Sequence, residues 1–206
     1  SARLLKVYGD AFPEAYKEDF AARTGVIDIR HLEDLGDDGE VSLNLYEPHA
    51  ADSGERRFKI YRRGAEISLS TVLPVLQKMG VEVVDERPYG IETPGMPMWV
   101  YDFGLRLDGQ AFELSTLKPR FQKAFHAAWT GRAEADGFNA LVVSAGLSWR
   151  QAMVLRAYAR YLRQTGTAFS QDYLEQCLVA NVAIVRLLVA LFETRIGLAR
   201  VVNEAA

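Results

Sequence analysis

The chain has 206 residues, of which 49% are apolar and 25% charged, the composition of an ordinary globular protein. Its single cysteine, Cys177, excludes an internal disulfide framework. The apolar helical run around Cys177 predicts a buried packing role for the thiol. Residues 1–117 carry 13 basic and 21 acidic side chains, whereas residues 118–206 carry 11 and 6. This asymmetry predicts two domains, 1–117 and 118–206.

Strands and helices alternate in the first part of the predicted domain 1–117. Residues 4–8 form a short apolar strand candidate, and a helix follows from Phe12-Pro13 to about Gly25. Residues 27–35 continue with apolar spacing as a second short segment. Val41, Leu43 and Leu45 then alternate with polar residues, as do Phe58 and Ile60, which is the pattern of two half-buried strands that pair as a hairpin.

The remainder of this domain adds one helix and two strands. Residues 36–39 predict a turn, Ser68 or Ser70 caps a helix that ends at Gly80, and residues 81–84 form a strand directly after it. Prolines and glycines between 88 and 97 predict a link to a last strand at 98–107. The order β-α-β-β-α-β-β predicts an α+β fold: a ferredoxin-like antiparallel sheet with an extra strand and two helices on one face.

The domain 118–206 has only helical patterns. Pro119 begins one helix, residues 138–145 form a second, and a third runs from the N-cap Ser148 to Thr165. A fourth extends from the cap Ser170 to about Thr194. Its C-terminal part is apolar on nearly all sides, so it is either fully central or, as we favour, packed on polypeptide outside this sequence.

Motifs for catalysis, metal binding or nucleotide binding are missing from the sequence. His31, His49 and His126 have no second ligand at metal-site spacing. There is no G-x-G-x-x-G between a strand and a helix, no Walker loop and no G-x-S-x-G elbow. We therefore expect no catalytic, cofactor-binding or metal-binding residue here. The charged N-terminus and the lack of long apolar stretches predict no signal peptide and no membrane segment.

Two polar clusters are the candidate sites. Asp85, Glu86 and Arg87 at a strand end have the charges to bind a small amino-acid effector, although a solvated strand exit is the favoured alternative. Arg156, Arg160 and Arg163 share one helix face and are candidates for an inter-domain contact. Nucleic-acid binding by this stripe is the disfavoured alternative, because the protein as a whole is acidic.

Long runs of this sequence resemble the large bacterial NAD-specific glutamate dehydrogenases, over about nine-tenths of the chain. The matching runs include FPEAYKEDF (12–20), RFKIYR (57–62), DERPY (85–89), AGLSWR (145–150) and YLRQ (161–164). In that family the polypeptide is several-fold longer, forms a homo-oligomer, and oxidises L-glutamate to 2-oxoglutarate and ammonia with NAD. The catalytic and dinucleotide-binding motifs of the family have no counterpart here.

The resemblance implies that this chain is an ACT-like domain followed by a helical region, N-terminal to the catalytic part. Its implied role is regulatory and scaffolding, within an enzyme of amino-acid catabolism; a purely structural oligomerisation module is the alternative. The expected partners are the rest of the polypeptide, other subunits of the homo-oligomer and a small amino-acid effector, with no nucleic acid and no membrane. NAD would bind only elsewhere in the parent enzyme, and the expected location is cytoplasmic.

Overall fold

The computed structural model describes residues 2–36, 39–48, 55–107 and 113–204. The centre of the predicted turn at 36–39 and the predicted loop around Ser53 and Gly54 lie outside the described residues, as does His49. The chain divides into two compact units. One comprises residues 1–73 and 82–106, and the other residues 74–81 and 107–206.

The chain begins with helices and not with the predicted strand. Helix α1 spans Ala2–Tyr8, α2 spans Glu14–Asp19 and α3 spans Ala22–Glu33. The strand prediction for residues 4–8 was wrong because Leu4, Val7 and Tyr8 also have helical spacing, and that spacing is the one that packs into the core. The predicted helix end at Gly25 was also wrong, since α3 continues through it.

The sheet has four antiparallel strands: β1 (Val41–Tyr46), β2 (Glu55–Arg63), β3 (Val81–Ile91) and β4 (Met98–Leu107). They lie in the order β1-β2-β4-β3, and the predicted β1–β2 hairpin is confirmed. Helix α4 (Leu69–Lys78) precedes β3 as predicted. Strand β3 continues through Pro88 and Gly90, which were predicted to lie in a link. The predicted α+β class is confirmed, without the extra first strand.

The two faces of the sheet differ in polarity. The strand register places Leu45, Phe58 and Phe103 side by side on one face, where all three are buried. The opposite face carries the neighbours Asn44, Lys59 and Asp102, which are also buried. Helix α3 packs on strands β1 and β2. Charged residues, among them Lys59 and Asp102, therefore lie inside this unit on the face that α3 covers.

The remaining chain is helical, as predicted, with different helix boundaries. The elements are α5 (Leu114–Trp129), a 3₁₀ turn (Gly137–Ala140), α6 (Leu141–Ser144), α7 (Trp149–Gln164), α8 (Gln171–Ala180) and α9 (Val182–Glu204). The capping box of Ser148 and Gln151 is confirmed. Helix α5 begins five residues before Pro119, so the predicted start at that proline was wrong.

The predicted helix from Ser170 to Thr194 is two helices. Asn181 separates α8 from α9 with a non-helical backbone, and its side-chain amide donates to the carbonyl oxygen of Cys177 at 2.8 Å. Cys177 itself is exposed, so its predicted burial was wrong: α8 buries Glu175 instead. Within the described residues no single helix is apolar and long enough to span a membrane; α8 and α9 pass that test only as a pair bent by 100°.

Candidate functional site

A buried ion pair joins helix α3 to the polar face of the sheet. Asp28 and Lys59 are 0% and 1% exposed, and the Lys59 ammonium donates to Asp28 Oδ2 at 2.5 Å. Asp28 also accepts from the hydroxyls of Tyr16, at 2.5 Å, and Tyr61, at 2.7 Å. Three donors on one carboxylate offset the cost of removing its charge from water.

Aromatic rings surround the ammonium of Lys59. The ring centroid of Phe20 lies 3.7 Å from Nζ, and those of Tyr16 and Tyr46 lie 5.5 Å away. Ring faces carry negative electrostatic potential, so these contacts stabilise the cation. Burial and the adjacent Asp28 carboxylate raise the pKa values of Tyr16 and Tyr61 well above 10.0, so both hydroxyls remain hydrogen-bond donors.

A second ionic cluster lies beside the first on β2, β3 and β4. The Arg57 guanidinium donates to Asp102 Oδ2 at 2.8 Å and to Asp85 Oδ1 at 2.7 Å, and the Tyr46 hydroxyl donates to Asp102 at 3.1 Å. Gly104 makes room for this cluster, because a Cβ there would lie 2.6 Å from Asp85 Oδ2. The hydrogen bond from Arg57 lowers the pKa of Asp85, whereas burial raises that of Asp102.

A cavity of about 550 Å³ opens beside both clusters. Its volume falls within the usual range for small-molecule sites, roughly 300–1,000 Å³. Positive and negative side chains both contribute to its lining, together with apolar and aromatic ones. The lining residues are Asp19, Phe20, Ala21, Arg23, Thr24, Ile27, Asp28, Asn44, Tyr46, Glu47, Pro48, Arg57, Lys59, Arg87 and Asp102. This mixture of charges is suited to a small ligand that is itself dipolar.

The three predicted effector residues have different surroundings. Arg87 lines the cavity and donates to Asp19 at 2.9 Å. Asp85 is bound by Arg57 and lies 4.0 Å from Arg87. Glu86 is not part of the lining, and burial and Glu66 raise the pKa of its carboxyl. An effector role for these residues stays a prediction.

The predicted arginine stripe of α7 has one buried member. Arg156 is 4% exposed and makes a bidentate contact with Asp136, at 2.6 and 2.7 Å, while Asn139 accepts at 2.8 Å. Arg160 pairs with Glu134, and Arg163 is exposed. Arg156 therefore stabilises its own helical unit, and the inter-domain contact stays a prediction for the stripe.

The buried ionic residues are the functional candidates that the sequence analysis missed. Lys59 alternates with Phe58 and Ile60, and that pattern predicts a lysine on the solvated face of a half-buried strand. The sequence signal that could have indicated a buried ion pair was Asp28, a carboxylate that lies among the apolar residues Ile27, Ile29 and Leu32. Among the described residues, no group of three or more His, Cys, Asp or Glu side chains is arranged to hold a metal ion.

Comparison with known families accounts for most of the chain. Residues 1–35 match the model "Glutamate dehydrogenase, helical motif 2". Residues 40–117 match "Glutamate dehydrogenase, ACT3 domain", and residues 133–198 match "Glutamate dehydrogenase, helical motif 3". The cavity is thus lined by residues from the helical motif 2 match and from the ACT3 match.

Three curated relatives carry the name NAD-specific glutamate dehydrogenase. That of Halomonas elongata is 39% identical over 93% of this chain, that of Mycobacterium tuberculosis 41% over 90%, and that of Pseudomonas aeruginosa 37% over 96%. The chain spans only 12% of the length of each of these relatives. The similarity therefore concerns a short part of a long polypeptide.

Proposed function

Because this chain belongs to the glutamate dehydrogenase family, through its ACT3 and helical-motif domains, we propose that it is a non-catalytic regulatory and scaffolding portion of an NAD-dependent glutamate dehydrogenase. The parent reaction converts L-glutamate, NAD and water into 2-oxoglutarate, ammonia and NADH. In this proposal the reaction and the NAD site lie on the rest of a cytoplasmic homo-oligomer, and this chain supplies contact surfaces and a place for an effector.

An apolar stripe on helix α9 is the observation that carries the scaffolding role. Ile184, Leu187, Leu188 and Leu191 follow one another at the spacing of one helix face, and their exposed fractions range from 42% to 70%. Val185 and Val189, on the adjacent face, are buried in the core of the helical unit. The same helix thus has one apolar face inside its unit and a second that is available for other polypeptide.

The stripe leads to a direct test in the full-length enzyme. In the double variant Leu187→Asp/Leu191→Asp, two charges would have to be buried against the proposed partner surface, so we expect loss of assembly and of glutamate oxidation. The matched control is Val26→Asp, which changes a similarly exposed apolar side chain on α3. Sedimentation velocity and NADH absorbance are the measurements. Unchanged assembly and unchanged turnover in the double variant would contradict the scaffolding role.

A purely structural oligomerisation module is the alternative proposal. It retains the α9 stripe and lacks any ligand site. Kinetics of the full-length enzyme separate the two forms of the proposal, because only a regulatory portion responds to an effector. The variant Arg87→Ala, compared with the wild type at increasing concentrations of candidate amino acids, is expected to shift the activation or inhibition curve. Identical curves would remove Arg87 from the effector site.

A further inference from the structure

We propose that a second cavity, within the helical unit, binds the phosphate group of a small phosphate monoester through Arg132, Arg156 and Arg160. The cavity has a volume of about 310 Å³, at the lower end of the usual range for small-molecule sites, roughly 300–1,000 Å³. It lies between residues 131–134, which follow α5, and one face of α7. This inference goes beyond the proposed regulatory and scaffolding function and uses neither Arg87 nor the α9 stripe.

Local structure brings the three arginines to the same cavity. Arg156 and Arg160 are four residues apart on α7 and therefore share one face of that helix. Gly131 follows α5 with a φ of +70°, a value that other residues rarely adopt. The chain turns at this glycine, and Arg132, the next residue, lines the cavity together with the two arginines of α7.

Arg156 is a buried cation with donors that its own partners do not use. Its side chain is 4% exposed; Nε and Nη2 donate to Asp136, and Nη2 also donates to Asn139. A guanidinium has five N–H donors, and the two on Nη1 have no acceptor among the described residues. Because Arg156 lines the cavity and its partners already hold the guanidinium in place, Nη1 is available to a ligand at little cost in side-chain entropy.

Arg132 and Arg160 add two exposed cations to the lining. Arg160 forms an ion pair with Glu134 through Nη2, which leaves the N–H groups of Nε and Nη1 for a ligand. Arg132 has no ion-pair partner in the part of the chain that the structure describes. Its guanidinium carbon lies 5.7 Å from the ring centroid of Trp149, a cation–π contact that restricts the side chain. Both arginines can therefore donate to an anion without breaking an existing ion pair.

The charges around the cavity favour a dianion. Three arginines and one carboxylate, that of Glu134, line it, and positive charges still outnumber negative ones when Asp136, bound to Arg156, is counted. A phosphate monoester carries a charge of about −1.5 to −2 at pH 7 and three strong acceptor oxygens. Each oxygen can accept from a different guanidinium, whereas a single carboxylate has only two oxygens. Met153 and Ala157 also line the cavity and are left to contact the alcohol part of the ester.

Calorimetric titration of the 206-residue chain in a phosphate-free buffer tests the ligand class. The probes are inorganic phosphate, methyl phosphate, ribose 5-phosphate and AMP, with the dicarboxylate succinate for comparison. At least one monoester is expected to bind with a dissociation constant below about 1 mM and about tenfold more tightly than succinate. No saturable heat with any of the phosphates at millimolar concentrations would overturn the proposal. Succinate binding as tight as that of the best phosphate would overturn the choice of a phosphate group.

Variants test the location of the site. Arg132→Gln and Arg160→Gln each remove one proposed contact and are each expected to weaken binding of the best phosphate about tenfold. The control for Arg132→Gln is Arg150→Gln, since Arg150 is exposed and lies 5.0 Å from the same Trp149 ring but does not line the cavity. The control for Arg160→Gln is Arg163→Gln, at an exposed position of the same helix outside the lining. Wild-type affinity in either test variant, or an equal loss in its control, would overturn the site.

The same titration of the full-length enzyme distinguishes a small ligand from polypeptide. An acidic segment elsewhere in the parent enzyme is the other candidate occupant, because carboxylates also bind arginine. Phosphate binding that persists in the full-length enzyme and is weakened by Arg132→Gln supports a ligand site. Binding seen only with the 206-residue chain would overturn it and would assign these arginines to a contact between domains. Neither result depends on Arg87 or on the α9 stripe, so the proposed function is tested separately.

Discussion

The buried pair of Asp28 and Lys59 allows a quantitative prediction. Asp28→Ala removes the carboxylate and leaves the Lys59 ammonium inside the protein without its only hydrogen-bond acceptor among the described residues. Removing one partner of a buried pair costs about 3–5 kcal/mol. The hydroxyls of Tyr16 and Tyr61 lose the same acceptor, which costs about 1 kcal/mol each, although such losses are not fully additive. We expect a destabilisation of at least about 4 kcal/mol.

A loss of this size is a large fraction of the usual stability of a domain, about 5–15 kcal/mol. Urea unfolding followed by tryptophan fluorescence measures it. Because Trp129 and Trp149 lie in the other compact unit, both are replaced by phenylalanine, and Trp99 on β4 then reports on the unit that contains the pair. The variant with these two tryptophan replacements is compared with the same variant carrying Asp28→Ala.

A matched double variant separates the charge from the hydrogen bonds. Asp28→Leu with Lys59→Met replaces the pair by apolar side chains of similar size, so no charge remains unpaired, and its stability is expected within about 2 kcal/mol of the parent. A loss below about 1 kcal/mol for Asp28→Ala, the size typical of a surface ion pair, would refute the buried pair. A double variant as unstable as Asp28→Ala would refute the assignment of the loss to Lys59.

Three further predictions concern the backbone, a helix cap and pH. Gly80→Ala places a Cβ 2.9 Å from that of Ala140 at a φ of +75°, so thermal unfolding is expected to show a loss of more than about 1 kcal/mol. Ser148→Ala removes the capping box of α7, and urea unfolding should show that the free energy of unfolding falls by about 1 kcal/mol. The control is Ser144→Ala, which changes a serine that is not a helix N-cap. Phenolate absorbance should show six tyrosines that ionise at higher pH in the folded protein than in the unfolded chain, because burial raises their pKa values above 10.0. They are Tyr8, Tyr16, Tyr46, Tyr61, Tyr89 and Tyr101.

The direction in which pH changes the free energy of unfolding follows from proton binding. With a raised pKa, each of these phenols keeps its proton in the folded state at a pH where the unfolded chain has lost it. The contribution of these phenols to the free energy of unfolding is therefore fully present below pH 10 and decreases as pH rises above their unfolded pKa of 10.0. Unfolding that is independent of pH above this value would contradict the buried hydrogen bonds from Tyr16 and Tyr61 to Asp28.

Short sequence patterns were sufficient to predict an element where the interactions that form it join residues close together in the chain. The alternation of Val41, Leu43 and Leu45 predicted a strand and its buried face, because side chains alternate across any sheet. Ser148 and Gln151 predicted the start of α7, since both capping hydrogen bonds lie within four residues. Gly80 ended α4 as expected because its positive φ of +75° is rarely adopted by other residues.

Contacts between residues far apart in the sequence decided the features that these patterns did not predict. Residues 4–8 suit a strand or a helix, and packing in the core selected the helix. The stretch from Ser170 to Thr194 has continuous helical character, and only the structure showed the break at Asn181. Lys59 looks like a solvated strand residue because its partner Asp28 lies 31 positions earlier, on a helix that covers that face of the sheet. Periodicity reports which residues share a face, whereas burial of that face depends on what the rest of the chain places over it.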